Sequence, residues 1–145
     1  MVINEMNDVT PDVMQSFQRL VPHLTDHASP PSTRALERMA LSESTIIFLA
    51  RDPEIEGRII GSATLATFET PTGSHGWIED VVVDWEARRQ GVGRALTEAC
   101  LEKARSMGLK TVNLTSRPSR EAANRLYQKI GFQQRETNVY EYRLD

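Results

Sequence analysis

The chain has one cysteine, Cys100, among its 145 residues. A single thiol forms no intramolecular disulfide, which fits a reducing compartment. No apolar run approaches the roughly 20 residues that a membrane-crossing helix needs. The opening residues, Met1-Val2-Ile3-Asn4-Glu5, lack the basic segment and apolar stretch of a secretory signal. The expectation is a soluble cytoplasmic protein without a membrane partner. His23, His27 and His75 show no metal-ligand spacing, so no metal is expected. The few aromatics, 6% of the chain, are not interleaved with the basic residues, which argues against nucleic-acid binding. Ordinary charged and apolar fractions, 26% and 39%, exclude disordered and collagen-like chains. At this length one domain, residues 1–145, is expected.

What is present is unevenly placed. The net charge is −3, yet the stretch from Arg88 to Arg135 holds 11 Lys/Arg against 3 Asp/Glu. A basic half beside an acidic remainder points to an anionic ligand on one part and a cationic or polar one on the other. Solvated helix charge gives the same count, so this asymmetry alone does not decide.

Pattern and punctuation predict a mixed α/β chain. Residues 2–4 read as a strand. Thr10-Pro11 opens a helix with Val13, Phe17 and Leu20 at helical spacing. Pro22 and Pro30-Pro31 bracket an irregular stretch, and Ser32 caps a second helix carrying Leu36, Met39 and Ala40. Strands are expected at 45–50, 58–68 and 77–83, with a loop over 70–76. The last of these strands is the most apolar, which places it centrally in a sheet. A helix then runs to about Met107, burying Val92, Leu96, Ala99 and Met107 and ending at Gly108. Residues 110–115 alternate as a strand. Pro118-Ser119 starts a last helix with Ala123, Leu126 and Ile130 on its stripe, stopped by Gly131. Residues 132–134 and 139–144 look like a closing strand pair. The order predicts a central mixed sheet with helices on both faces.

The most informative segment is Arg88-Arg89-Gln90-Gly91-Val92-Gly93-Arg94, between the valine-rich strand and a long helix. Such a turn aims backbone N–H groups and the positive helix end at one point, which suits phosphate. Gly91 and Gly93 allow close backbone approach, and Arg88, Arg89 and Arg94 add charge. It is neither a dinucleotide fingerprint, since Leu96 holds the third glycine position, nor a P-loop, since the Gly-Lys-Ser/Thr ending is absent.

Arg88-x-x-Gly91-x-Gly93 resembles the pyrophosphate-binding motif of the GNAT superfamily of N-acetyltransferases. The likeness includes Asp80-Val81-Val82-Val83 before it and Asn124-x-x-Tyr127-x-x-x-Gly131-Phe132 after it. Ile78-Glu79-Asp80 followed by valines is similar to the glucosamine-phosphate N-acetyltransferase branch. The resemblance implies a GNAT-like fold and acetyl-CoA as cosubstrate. Val81, Val82 and Val83 would offer backbone groups to the pantetheine arm along a splayed, bulged strand. Arg88, Arg89, Gln90, Gly91, Val92, Gly93 and Arg94 would hold the pyrophosphate, with Arg120 and Arg125 as further phosphate contacts. Asn124 would hold a pantetheine amide, and Tyr127 would protonate the departing thiolate.

Glu79 and Asp80 are the candidate general bases. In a regular strand they point to opposite faces, Glu79 with Trp77, Val81 and Val83, Asp80 with Ile78 and Val82. A carboxylate beside an apolar layer gains a raised pKa, which suits proton abstraction from an ammonium acceptor. The choice between them, with Glu79 first, stays open. Tyr127 lies off the expected apolar stripe of its helix, which leaves its phenol free for chemistry. Cys100 reads as a buried thiol, not a nucleophile.

The expected activity is acetyl transfer to the primary amine of a small molecule by direct attack in a ternary complex. Transfer to protein N-termini or lysines, and a non-catalytic acyl-CoA-binding module, are the alternatives. Glu43, Glu69 and Glu136 suit a cationic acceptor, and Arg117 or Arg135 a sugar phosphate. The resemblance also permits a homodimer with exchanged C-terminal strands.

Overall fold

The computed structural model describes residues 1–144. It forms two compact units, Met1–Thr115 and Ser116–Asp145. The first unit contains strands β1 (Val2–Glu5), β2 (Thr45–Asp52), β3 (Arg58–Thr70), β4 (Gly73–Val83) and β5 (Thr111–Asn113). Its helices are α1 (Pro11–Leu24), α2 (Thr33–Leu41) and α3 (Val92–Ser106). The sheet order is β1-β2-β3-β4-β5. The first four strands pair antiparallel, and β5 joins β4 in parallel.

The helix starts follow their caps. Thr10 accepts from the Val13 amide at 3.3 Å with Pro11 in the first turn, and Ser32 accepts from Ala35 at 3.1 Å. The expected break at Pro22 does not occur, because α1 continues to Leu24. Proline so near the helix end removes one amide donor, and burial of Val13, Phe17, Leu20 and Val21 holds the rest.

Residues opposite one another in a ladder share a face, so register separates the two layers. Leu49, Ser62 and Val82 line up across β2, β3 and β4. Leu49 and Val82 share a core with Val13, Phe17 and Leu20 of α1 and Leu36 of α2. Ala50, Gly61 and Val83 line up on the other face, against α3. A Cβ at Gly61 would stand 3.0 Å from Val92 Cγ1 and from the Val82 carbonyl, so only glycine lets α3 lie this close. The buried stripe of α3 is Val92, Leu96, Cys100 and Ala104, with Thr97 beside it. Ala99 is only half-buried, and Met107, 37% exposed, lies past the helix end. The stripe follows the i, i+4 row that faces Gly61.

The expected loop over 70–76 is mostly strand. Thr70 pairs with Gly73, Glu69 with Ser74 and Phe68 with His75, leaving Pro71-Thr72 as the turn. Its polar, glycine-containing sequence imitates a loop, but Lys110 ties it down by donating to the Thr72 carbonyl at 2.9 Å.

In the second unit, α4 (Glu121–Ile130) begins after the expected Pro118-Ser119, because Arg120 N–H first closes a turn on the Arg117 carbonyl at 3.0 Å. Residues 131–144 form no strand, so the expected pair at 132–134 and 139–144 is absent. Val139, Tyr140, Tyr142 and Leu144 are 68%, 87%, 87% and 91% exposed. Alternation supplies a strand's faces, but a ladder also needs a partner. Among the described residues no helix is long and apolar enough to cross a membrane.

Candidate active site

β4 departs from regular geometry where the sequence placed its chemistry. Thr64 pairs with Glu79, but Ser62 pairs with Val82, so Asp80 and Val81 together oppose Ala63. This is a β-bulge. Asp80 takes up the extra length at φ 51°, a left-handed conformation that aspartate tolerates better than most residues. The bulge corrects the expected alternation. Glu79 shares its face with Val82, and Ile78 shares the other with Val83. Glu79 and Asp80 are both exposed, while Ile78 and Val82 are buried.

On its other edge β4 pairs with β5 only from His75 to Trp77, opposite Thr111 to Asn113. From Ile78 to Val83 that edge carries no ladder partner among the described residues. This is also why β5 is shorter than the expected 110–115. The β4 backbone groups that point to this edge therefore have no ladder partner, whereas the Val82 backbone faces Ser62 of β3 and its side chain belongs to the core. Backbone recognition leaves the strand's side chains free to pack.

The edge leads into the glycine turn. A short 3₁₀ turn, Trp85–Ala87, precedes it. Arg89 and Gly91 adopt φ 66° and 79°. Gly91 is the residue before α3, whose first amides have no side-chain cap and whose first turn has no acidic residue. Helix α1 has both, in Thr10 and Asp12. The uncapped amides and positive end of α3 are therefore left for an anion from outside the helix. Arg88 stacks over the Trp85 ring at 3.4 Å from its centroid. Arg89 and Gln90 are exposed, and Val92 is buried under the turn. Gly93 stands beside Val83, where an added Cβ would lie 3.8 Å from the valine methyl. Arg94 is less free than its sequence position suggests, since its Nε donates to Glu98 at 2.7 Å.

Although Glu79 is exposed, partial desolvation of its carboxyl pushes the pKa up, the adjacent Asp80 charge pushes the same way, and a Trp77 hydrogen bond opposes both. Both His75 ring nitrogens are engaged, with the Thr111 hydroxyl at 2.8 Å and the Thr72 hydroxyl at 3.3 Å. Cys100 is fully buried, and burial pushes its pKa up to about 12.

Asn124 and Tyr127 lie on α4 in the second unit. Asn124 Nδ2 donates to the Arg117 carbonyl at 3.0 Å, so one of its functions is to fix the turn before α4. Tyr127 was expected off the apolar stripe, yet it is the buried residue of α4, at 8% exposure. Ala123, Leu126 and Ile130 are only half-buried. Its ring meets Phe132 edge-on at 5.8 Å. Burial raises the phenol pKa, against a lowering by Arg120, so the hydroxyl stays protonated and able to donate.

Sequence reasoning missed Asp84, which is buried and paired with Arg19 and Arg58. Its charge so close after a valine run was the available signal, but its arginines lie far away in sequence. It also missed the Trp85–Arg88 stack.

The acetyltransferase (GNAT) family profile matches residues 10–132. Glucosamine 6-phosphate N-acetyltransferase of Trypanosoma brucei brucei is 35% identical over 137 residues, covering 91% of this chain and 88% of that protein. Mycothiol acetyltransferase of Amycolatopsis mediterranei (strain U-32) is 35% identical over 111 residues, 73% of this chain but 36% of the relative. The crystal structure of a Trypanosoma brucei acetyltransferase superposes with a TM-score of 0.77 at 31% identity, covering 99% of this chain and 98% of that one. The match to the family along most of the chain, together with the bulged open strand and the uncapped glycine turn, makes this protein a member of the GNAT family of acetyltransferases.

Proposed function

We propose that the protein transfers the acetyl group of acetyl-CoA to the primary amine of a small molecule, and that the acceptor is an amino sugar phosphate. The observation that carries the cosubstrate reading is the unpaired β4 edge running directly into the uncapped start of α3. A pantetheine arm is a chain of amides, and an open strand edge pairs with amides. A diphosphate suits the free amides at Gly91–Gly93 with Arg88 and Arg89 nearby.

Acetyl-CoA supplies the activated acyl group as a thioester. Glu79 takes a proton from the acceptor ammonium, which frees the nitrogen lone pair for attack on the carbonyl carbon. A β4 amide near Val81 donates to the carbonyl oxygen as it gains charge. The C–N bond forms, the C–S bond breaks and Tyr127 supplies a proton to the thiolate; the nitrogen gives up its second proton as the amide forms, which restores the phenol, and Glu79 releases the first to water. Tyr127 receives this role from the family motif and its neutral phenol. Asp80 sets the bulge and raises the Glu79 pKa.

The amino sugar phosphate follows from the similarity to the Trypanosoma brucei brucei relative and from exposed Arg117 and Arg135, which suit a phosphate. A second copy of the chain is the proposed partner of residues 139–144, whose apolar side chains are exposed. Light scattering of the full chain and of one ending at residue 138 tests that pairing.

The activity is tested by following free thiol release from acetyl-CoA with glucosamine 6-phosphate, glucosamine, a polyamine and a peptide amine. Thiol release with the sugar phosphate above the others supports the reading. Release only with the peptide moves the acceptor class to protein N-termini or lysines. No release with any amine, despite binding of acetyl-CoA, supports a non-catalytic module.

A further inference from the structure

We propose that Asp84 is a positioning residue for the diphosphate-binding turn, acting through the chain between β4 and Gly91. The inference rests on the reading that this turn receives acetyl-CoA. Asp84 is 6% exposed, yet it carries a charge in a location that loops ordinarily leave to water. Its Oδ2 meets Arg19 Nε of α1 at 3.2 Å and Arg58 Nη2 of β3 at 3.5 Å. Arg19 also donates to the Ile59 carbonyl. Asp84 N–H donates to the Ile60 carbonyl at 2.8 Å, and its own carbonyl accepts from Ala87 at 2.9 Å. Helix α1, strand β3 and the end of β4 thus converge on one residue, held by side chain and main chain together.

This anchor shares a cavity with the turn. The cavity, of about 40 Å³, is lined by Asp84 and Arg58 together with Glu86, Ala87 and Gln90. Gln90 adjoins Gly91, and its Nε2 reaches the Glu86 carbonyl at 3.5 Å. Trp85, next to Asp84, supports the Arg88 guanidinium. Removing the Asp84 charge leaves Arg19 and Arg58 without their shared carboxylate, which removes the contact that ties the end of β4 to α1 and β3. The segment free to move is the one bearing Arg88 to Gly91, not the β4 edge, which its ladder to β3 holds.

The test is Asp84→Asn, assayed with acetyl-CoA and with S-acetylpantetheine, which keeps the thioester arm but lacks the diphosphate. With acetyl-CoA the expected result is a rise in KM of about tenfold with kcat nearly unchanged, the pattern of lost binding that ground and transition states share. With S-acetylpantetheine, kcat/KM is expected to match the parent. Equal losses on both substrates, or no loss on either, overturn the inference and make Asp84 a support of the whole sheet or a spectator. If Asp84→Asn does not fold, Arg58→Met, which removes only one partner, is expected to show the same split at smaller size; its absence overturns the proposal. A parent that turns over S-acetylpantetheine and acetyl-CoA equally well removes the diphosphate site itself, and the inference falls with that reading.

Discussion

Glu79 and Val82 lie on the same face of the sheet although three positions separate them, because Asp80 and Val81 together oppose Ala63. The odd spacing requires one residue of extra chain, and Asp80 at φ 51° provides it. That places the exposed Glu79 carboxylate on the face that Val82 and Leu49 occupy, without breaking the core contact of Val82.

Asp80→Val is expected to destabilise the protein by about 1–3 kcal/mol, the cost of holding a residue in a sparsely populated backbone region. The midpoint falls by roughly 2–4 °C for each kcal/mol at this chain length. Asp80→Gly is expected to keep the parent midpoint or exceed it. Thermal melts of the two variants check this, and an equal fall for both contradicts the bulge.

Partial desolvation, and then the Asp80 charge, raise the Glu79 pKa above its ordinary value. A carboxyl raised on folding binds more protons in the native state. Its stabilising contribution is therefore complete below the ordinary glutamate pKa and is lost as pH rises through the raised value. Glu79→Gln is expected to gain stability relative to the parent over that window, and to equal it at lower pH. Its kcat/KM should fall by about 10²–10⁴-fold, with the acid limb removed. Asp80→Asn, which removes the neighbouring charge, should move that limb to lower pH. A limb unmoved in both variants assigns the base elsewhere.

Local chemistry was legible in the sequence, whereas anything set by a partner strand was not. Thr10 and Ser32 announce helix starts because a cap is satisfied within three residues. Gly91 and its arginines mark the turn because the need for a left-handed glycine is local. The face of Glu79 was misread because it depends on Ala63 of β3, and no pattern within β4 records that residue. Asp84 was overlooked because its partners Arg19 and Arg58 come from two other elements. The alternating residues 139–144 read as a strand for the converse reason, since their own pattern fits while the ladder partner is missing.

Tyr127→Phe keeps the ring that meets Phe132 and loses only the hydroxyl. Turnover is expected to fall about 10²-fold or more, as for loss of a general acid. The Kd for acetyl-CoA should stay within about twofold of the parent. Burial holds the phenol pKa above its usual value, so loss of activity to phenol ionisation should set in at higher pH than for an ordinary tyrosine. Equal losses in turnover and affinity would make Tyr127 a binding residue.

Cys100 is expected to be chemically silent in the folded protein. Its pKa of about 12 leaves negligible thiolate near neutrality, and its side chain is inaccessible on the α3 stripe. An aromatic disulfide reagent should leave it unmodified in the native protein and titrate it in denaturant. Rapid native labelling with loss of activity would contradict this.

Titration calorimetry reads out whether the turn before α3 receives acetyl-CoA. Gly91→Glu places a carboxylate at the helix start, where an added Cβ meets open space. Gly108 has a similar φ, 72°, and equally open surroundings at the other end of α3, about 22 Å away by helix rise. Gly108→Glu therefore reproduces the strain without the location. Micromolar binding is expected for the parent and for Gly108→Glu, with affinity at least about tenfold weaker for Gly91→Glu. Parent-like binding by Gly91→Glu, or no binding by the folded parent, would contradict an acetyl-CoA site at this turn.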